Sequence, residues 1–167
     1  MQESTNRILS MSVVHEFLSQ QDEEEIRVME VTRNILNTVA PNMIAGDFQL
    51  EQSFDGPEVI LPSRTASNLA VIINELILNS IEHGFEGRQQ GLIGLHTEES
   101  TDGYVLELYD NGCGLPSDFD LEKTRSLGLQ IIRTLVRDDM GGEIELYNQQ
   151  GTRARISIPK NPEGGEY

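Results

Sequence analysis

The segment NELILNSIEHGF, Asn74–Phe85, places several polar side chains inside an otherwise apolar run. Glu75, Asn79, Glu82 and His83 follow one another at spacings of four, three and one residues. On a helix these spacings predict one polar stripe at the edge of the buried face, where a cleft would open. Carboxylate and amide oxygens there suit a hard cation such as magnesium, which keeps several waters and binds together with phosphates. The alternative interpretation is an amphipathic helix whose polar side simply faces water.

A second candidate lies in YDNGCGLP, residues 109–116. Asp110 ends an alternating strand pattern, and Gly112 and Gly114 allow the backbone to turn sharply or to pass close to a ligand. A carboxylate fixed at a strand end accepts a hydrogen bond from an exocyclic amine, such as that of adenine. A plain turn is the alternative, because Asp-Asn-Gly is a common turn sequence.

The third candidate is SLGLQIIRTLV, residues 126–136, which predicts a helix. Ser126 is placed to cap this helix, and Gly128 would leave the amides of the first turn accessible. A helix N-terminus favours anions through its unpaired N–H groups and its dipole. An ordinary capped core helix is the alternative. Arg133 and Arg137, four residues apart, are predicted to form surface ion pairs.

Strand and helix patterns around these residues predict an α+β fold. Consecutive strands should form hairpins, the first about the turn Asp55-Gly56, which gives a mixed, largely antiparallel sheet with helices on one face, a two-layer α/β sandwich. Thr152 opens the last strand, where its hydroxyl either reaches inward or serves only as a β-former. The predicted strands cover residues 48–54, 58–62, 91–99, 104–110, 143–150 and 152–159, and the predicted helices cover 64–84 and 126–140.

The N-terminal region has a different pattern. Ile8, Met11, His15 and Leu18 recur at the spacing of a helix that packs against other helices, and a second helical segment is predicted over residues 22–39. This region has few apolar residues, so we expect it either to pair with a partner chain or to continue a helical bundle whose other part lies outside this chain. An irregular stretch at residues 41–46 is the predicted boundary. The predicted organisation is a helical dimerisation region at 1–40, a folded domain at 41–161 and a disordered tail at 162–167.

Composition excludes several classes of function. The formal net charge of −16 disfavours nucleic acid and anionic membrane surfaces, whose binding begins with Lys and Arg on phosphate. No apolar run approaches the roughly 18 residues of a membrane span. Cys113 is the single cysteine, so no internal disulfide forms. These features predict a cytoplasmic protein without membrane contact.

Read in order, the motifs NELxxNxxxHGF, DNGxGLP, SLGLQII, GGxxEL and GTR resemble the Bergerat ATP-binding fold, over about residues 45 to 160. That superfamily contains gyrase-type topoisomerases, certain chaperones, anti-sigma-factor serine kinases and sensor histidine kinases. The resemblance implies that Asn79 coordinates magnesium and the phosphates of ATP, and that Asp110 binds the adenine amine. Glu75 falls where the ATP-hydrolysing members keep a general base. The remaining positions implied to bind ATP are His83, Gly112, Gly114, Leu127, Gly128 and Thr152, together with Lys123 and Arg125 of a short lid that are expected to reach phosphates.

The segment NRILSMSVVHEFLSQ, residues 6–20, looks like the second dimerisation helix of histidine kinases of the HisKA type two and HWE-related group. This resemblance implies the C-terminal fragment of a cytoplasmic sensor histidine kinase. Such a fragment binds ATP with Mg²⁺ and transfers the γ-phosphate to a histidine, with Glu75 orienting or deprotonating the imidazole. The competing role of Glu75 is activation of a water, which gives ATP hydrolysis instead. The implied partners are a response regulator and, through the N-terminal helices of the parent, a second copy of the chain.

Two features limit the resemblance. His15 is followed by Glu16 as in many phosphoacceptors, but His15 lies too close to Asn79 for the intervening helices and strands. We therefore expect His15 to be structural and the phosphoacceptor to lie outside this chain. Glu82 stands where many histidine kinases carry a Lys or Arg, which removes a phosphate contact. An anti-sigma-factor-like serine kinase and a degenerate nucleotide-binding module remain as alternatives.

Overall fold

A computed structural model describes residues 11–12, 15–16, 19, 25–44 and 46–160, without the side chains of residues 42 and 43. Met11 and His15 lie in helical backbone, as the N-terminal pattern predicts, while Ile8 and Leu18 of the same pattern lie outside the described residues. The predicted disordered tail at 162–167 also lies outside them. No helix in the described part of the chain is both long enough and apolar enough to cross a membrane.

Seven strands and four α-helices make up the regular structure of residues 25–44 and 46–160. The strands are β1 (Glu25–Arg27), β2 (Gln49–Asp55), β3 (Ile60–Pro62), β4 (Gln90–Glu99), β5 (Gly103–Asp110), β6 (Glu143–Asn148) and β7 (Thr152–Pro159). The helices are α1 (Val28–Thr38), α2 (Ala40–Met43), α3 (Ser63–Asn79) and α4 (Leu127–Thr134). Both α3 and α4 continue into single π-helical turns, at Ser80–Gly84 and Leu135–Asp139, and a 3₁₀ turn lies at Leu121–Lys123.

The main sheet has five strands in the order β2-β4-β5-β7-β6. The pair β2–β4 is parallel, and the other three pairs are antiparallel. The sheet is therefore mixed and largely antiparallel, which confirms the predicted α+β class. The predicted hairpins β4–β5 and β6–β7 are also present.

The predicted first hairpin is wrong, because β3 does not pair with β2. It pairs antiparallel with β1 in a separate two-stranded ribbon, where Ile26 lies opposite Leu61. Val59 and Leu61 are 0% and 3% exposed, so this segment buries its apolar side among the helices. In its place β4 pairs with β2, with Ser53 opposite Gly94. The predicted strand pattern was correct, but the partner was not.

The segment from residue 25 to 44 packs into the same hydrophobic core as the sheet. The sequence predicts one helical segment over 22–39, whereas the structure has the short strand β1 before α1. The predicted irregular stretch begins instead with α2, which has Pro41 at its start, where proline is tolerated. The predicted domain boundary at residue 40 stays a prediction. The buried apolar residues of α1 and its C-terminal end are Val28, Val31, Ile35, Leu36 and Val39.

Strand β5 shows how the sheet positions polar groups. Because side chains alternate across a strand, Leu106, Leu108 and Asp110 share the face that packs under the helices. The opposite face carries Glu107, which is bonded by Arg153 and Arg155 of β7 at 2.6 and 3.2 Å. On the face that packs under the helices, the strand therefore places the carboxylate of Asp110 at the end of the apolar core.

Candidate functional site

Asp110 is the most completely held polar side chain at this end of the core. It is 4% exposed. Its Oδ1 accepts hydrogen bonds from the backbone N–H groups of Gly112 at 2.8 Å and Thr152 at 3.1 Å. Its Oδ2 accepts one from the hydroxyl of Ser80 at 2.7 Å. Since a carboxylate oxygen accepts two hydrogen bonds, the group is fixed in orientation and retains acceptor capacity.

The loop after β5 lies directly on the end of α3. Cys113 donates its backbone N–H to the carbonyl oxygen of Gly84 at 2.9 Å. A Cβ added to Gly112 would lie 2.4 Å from that same carbonyl oxygen, closer than real Cβ atoms approach. Glycine is therefore required at position 112 because two backbone segments touch there.

The π-helical turn at the end of α3 changes which side chains share a face. Asn79 and His83 line one cavity, whereas Glu82 lines a different cavity on the other side of the turn. Glu75 is 5% exposed and does not line the first cavity. The prediction of one polar stripe is thus wrong. For Glu82 the reason is the π-turn, which holds one more residue than an α-turn and rotates the side chains that follow.

The cavity beside Asp110 has a volume of about 650 Å³. This volume is typical of sites for small molecules and cofactors. Its walls combine apolar side chains with a few converging polar groups. The apolar part includes Leu76, Leu108, Phe119, Leu129, Leu146 and Ala154, and the polar part includes Asn79, His83, Asp110, Thr124, Ser126 and Thr152.

Several predicted ATP-binding residues therefore meet at one cavity. Asn79, His83, Asp110, Gly114 and Thr152, which come from three segments far apart in sequence, all line it. Gly112 does not line the cavity, but its N–H donates a hydrogen bond to the Asp110 carboxylate.

Four other predicted ATP-binding residues, two of them in the predicted lid, do not line the cavity. The Lys123 side chain is 85% exposed and has its Nζ 4.0 Å from Asp120. Arg125 is exposed, and Leu127 is 71% exposed. Gly128 is buried in the first turn of α4. None of these four is among the residues that line the cavity.

The start of α4 nevertheless faces the cavity through its cap. Ser126 lines the cavity and accepts a hydrogen bond from the N–H of Leu129 at 3.3 Å, as an N-cap does. Thr124 also lines it, two residues earlier. This end of the cavity therefore presents hydroxyl groups and a helix N-terminus, which together favour an anion.

The predicted surface ion pairs of Arg133 and Arg137 are confirmed. Both contact Glu122 of the 3₁₀ turn, at 3.7 and 2.5 Å. Arg133 also donates to the carbonyl oxygen of Leu121 at 2.9 Å. These pairs tie the segment between β5 and α4 to the outer side of α4.

Sequence reasoning missed three residues that shape the cavity. Ser80 directly follows the candidate ligand Asn79, and a hydroxyl at that position was a usable signal. Thr124 lay in a segment without pattern. Asn148, at the end of β6, holds the loop at Leu115 through two hydrogen bonds at 2.7 and 3.0 Å and gave no signal in its strand pattern.

A divalent cation would fit this cavity only if a bound phosphate compound supplied part of its coordination. No group of three or more His, Cys, Asp or Glu side chains that could hold a metal occurs among the described residues. One amide oxygen, that of Asn79, is available at the cavity wall. Mg²⁺ commonly binds in this way, through one or two protein oxygens together with waters and substrate phosphates.

Comparison with protein families decides the classification. Residues 65–162 match the family described as "Histidine kinase-, DNA gyrase B-, and HSP90-like ATPase". The chain belongs to this ATPase family. A second family model, described as "Histidine kinase", matches residues 1–42.

Individual relatives of this ATPase-family chain include signalling proteins. The sensor histidine kinase PdtaS of Mycobacterium tuberculosis is 33% identical over 97% of this chain and 33% of its own length. Anti-sigma F factor of Clostridium botulinum is 28% identical over 54% of this chain and 68% of its own length. The chain thus spans about a third of the length of PdtaS.

Among solved structures, the histidine kinase domain of the blue-light activated histidine kinase EL346 from Erythrobacter litoralis superposes with a TM-score of 0.73. The match covers 93% of this chain and 73% of that one, at 22% identity. It supports the fold described above.

Proposed function

We propose that this chain is the ATP-binding catalytic part of a two-component sensor histidine kinase. The observation that carries the proposal is the carboxylate of Asp110, which three donors hold at the wall of a cavity of about 650 Å³ that Asn79 also lines. The adenine amine would donate to Asp110 beside Thr152. The phosphates would lie toward Asn79 and the N-terminus of α4.

Phosphoryl transfer depends mainly on positioning and on neutralising charge. Asn79 would hold Mg²⁺, which supplies the positive charge on the phosphates that this acidic chain lacks. Ser126 and the first amides of α4 would donate to phosphate oxygens. The side chains of Lys123 and Arg125 are exposed on the segment before α4, and their proposed phosphate contacts require these side chains to turn toward the cavity.

Glu75 is the proposed base that orients or deprotonates the incoming imidazole. It lies one turn before Asn79 in α3 and is buried. Its role therefore requires a change in the packing that covers it. Substitution of Glu75 by Gln should leave nucleotide affinity intact and slow transfer of the phosphoryl group.

The N-terminal region favours a histidine kinase over an anti-sigma-factor-like serine kinase. The similarity to PdtaS extends over 97% of the chain, and a histidine kinase family model matches residues 1–42. The similarity to anti-sigma F factor covers only 54% of the chain. We accordingly propose a response regulator as partner and dimerisation of the parent protein through its N-terminal helices. The exposed thiol of Cys113 fits a reducing compartment such as the cytoplasm.

The acceptor histidine is proposed to lie outside this chain. His15 is exposed in helical backbone, so access alone does not separate an acceptor from a structural residue. In the full-length kinase, the substitution His15→Gln should leave acid-labile phosphate in place. Complete loss of that phosphate would make His15 the acceptor.

The proposed function is tested by incubating the chain with γ-labelled ATP and a separately supplied dimerisation domain. Label on histidine is the expected result. Label on serine would favour the anti-sigma-like kinase instead, and binding of ATP without any label would favour a degenerate nucleotide-binding module.

A further inference from the structure

Asn148 connects the edge strand β6 to the loop that follows β5. It ends β6, opposite Thr152 in the β6–β7 ladder. Its Oδ1 accepts a hydrogen bond from the backbone N–H of Leu115 at 2.7 Å, and its Nδ2 donates to the carbonyl oxygen of the same residue at 3.0 Å. One side chain thus satisfies both backbone polar groups of Leu115.

The loop is packed closely against this carboxamide. Gly114 has a φ of +81°, a conformation that favours glycine, and a Cβ added to it would lie 2.8 Å from Oδ1 of Asn148. Asn148 therefore fixes the backbone in two ways. Its carboxamide packs against Gly114, and it makes two hydrogen bonds to Leu115. Asn148 itself is exposed, so solvent competes for these bonds.

The residues that Asn148 holds form part of the cavity. Gly114, Leu115 and Pro116 are consecutive and all line it. They lie in a stretch without regular secondary structure, in which backbone ladders do not fix the chain. The position of this part of the wall therefore depends on side-chain contacts such as those of Asn148.

We propose that Asn148 is a positioning residue for the nucleotide, which it affects by fixing the wall formed by residues 114–116. This inference rests on the proposed ATP-binding function. The chemistry requires an amide, because one planar group must offer an acceptor to the Leu115 N–H and a donor to the Leu115 carbonyl. Aspartate at this position keeps the acceptor but places a second acceptor oxygen against that carbonyl.

The test compares Asn148→Ala, Asn148→Asp and a matched control, Gln149→Ala, which changes an exposed side chain next to Asn148. Amide hydrogen exchange at Leu115, followed by NMR without any ligand, reports whether the hydrogen bonds between Asn148 and Leu115 are intact. Calorimetric titration with Mg²⁺ and a non-hydrolysable ATP analogue reports nucleotide affinity. Exchange of the buried β5 amides reports global stability.

In Asn148→Ala the Leu115 amide should exchange at least tenfold faster, while the β5 amides keep wild-type rates. Nucleotide affinity should fall about three- to tenfold, as for the loss of one or two exposed hydrogen bonds that order a site. Asn148→Asp should keep Leu115 N–H protected and show a smaller loss of affinity. Gln149→Ala should match wild type in every measurement.

Wild-type affinity in Asn148→Ala would overturn the proposal, as would unchanged exchange at Leu115. Faster exchange of the β5 amides to the same degree would also overturn it, because the effect would then be one of global stability. A wild-type chain that binds no nucleotide would refute the proposed function and the positioning role together, whereas a wild-type chain that binds confines any failure to Asn148.

Discussion

The hydroxyl of Ser80 donates to Oδ2 of Asp110 at 2.7 Å, and both residues are buried. This bond joins the π-turn that ends α3 to the end of β5, across 30 residues of sequence. It is the only side-chain donor to Asp110 among the hydrogen bonds of the described residues, the other two being backbone N–H groups. The orientation of the carboxylate at the cavity wall therefore depends on the identity of residue 80.

Removing this hydroxyl should lower both stability and nucleotide affinity. In Ser80→Ala the free energy of unfolding should fall by about 1.5 to 3 kcal/mol, the usual range for a buried hydrogen bond to a charged group. Denaturant unfolding measures this change, and nucleotide titration should show an affinity about three- to tenfold lower. Ser67→Ala is the control, because the exposed hydroxyl of Ser67 bonds only to the Ser63 carbonyl in α3. Equal effects of both substitutions would remove the special role of Ser80.

The contact between Gly112 and Gly84 should tolerate a methyl group on one side only. Gly112→Ala places Cβ 2.4 Å from the Gly84 carbonyl oxygen, so the loop must shift. We expect a loss of about 1 to 3 kcal/mol in unfolding free energy and loss of tight nucleotide binding. In Gly84→Ala the nearest atom is 3.6 Å from the new Cβ, an ordinary contact, so stability should change little. Thermal unfolding of both variants checks this asymmetry, and a reversed order would contradict it.

His96 should make stability depend on pH near neutrality. Its Nδ1 lies 2.5 Å from Asp55 and its Nε2 lies 3.2 Å from Glu98. The hydrogen bond with Asp55, partly opposed by burial and aided by Glu98, raises the pKa of His96 above 6.5. Because the folded pKa is the higher one, the stabilisation is complete below pH 6.5 and is lost as the pH rises through the folded pKa.

The substitution His96→Gln isolates this effect. The midpoint of thermal unfolding of the variant should lie furthest below that of the wild type at pH 6, and the gap should narrow at pH 9. A gap that is constant across this range, or that widens toward high pH, would show that His96 does not contribute through its charge. NMR titration of the His96 ring should place its pKa above 6.5.

Glu107 should contribute stability with the opposite dependence on pH. Burial by itself raises the pKa of Glu107. The hydrogen bonds from Arg153, Tyr147 and Arg155 outweigh burial, so the pKa lies below 4.5. The contribution is therefore complete above about pH 4.5 and is lost as the pH falls through the folded pKa.

The variant Glu107→Gln tests this acidic dependence. It should cost about 1 to 3 kcal/mol at pH 7, because two arginines lose their charged acceptor, and the cost should shrink at lower pH. Exposed Glu51→Gln in the edge strand β2 serves as the control and should be neutral. Chemical denaturation at pH 7 and pH 4 measures the change, and an equal cost at both values would disprove the assignment.

The sequence predicted those parts of the site that follow from the periodicity of a single strand or helix. The alternation of Leu106, Leu108 and Asp110 predicts a strand that ends in a carboxylate, and the structure has it. The partner of β3 was not predictable in this way, because its pairing with β1 joins segments about 35 positions apart and depends on which apolar face the helices cover.

The missed and misplaced residues have physical causes as well. Glu82 leaves the polar stripe because of a π-turn, which no helical repeat in the sequence reveals. Ser80 acts through one hydrogen bond and Asn148 through two, in each case to a residue about 30 positions away, and such contacts leave no periodic signal. The lid cations Lys123 and Arg125 were assigned by resemblance, and their exposed positions leave their contact with phosphate as a prediction.

The central claim is that Asp110 marks an adenine-nucleotide site. Its most direct test is a calorimetric titration of Mg²⁺ with a non-hydrolysable ATP analogue into the wild-type chain and into Asp110→Asn, with folding of both checked by circular dichroism. We predict saturable binding at one site in the wild type and an affinity at least about tenfold lower in the folded variant, since a charged acceptor is lost. Equal affinities, or no binding by the wild type, would contradict the claim.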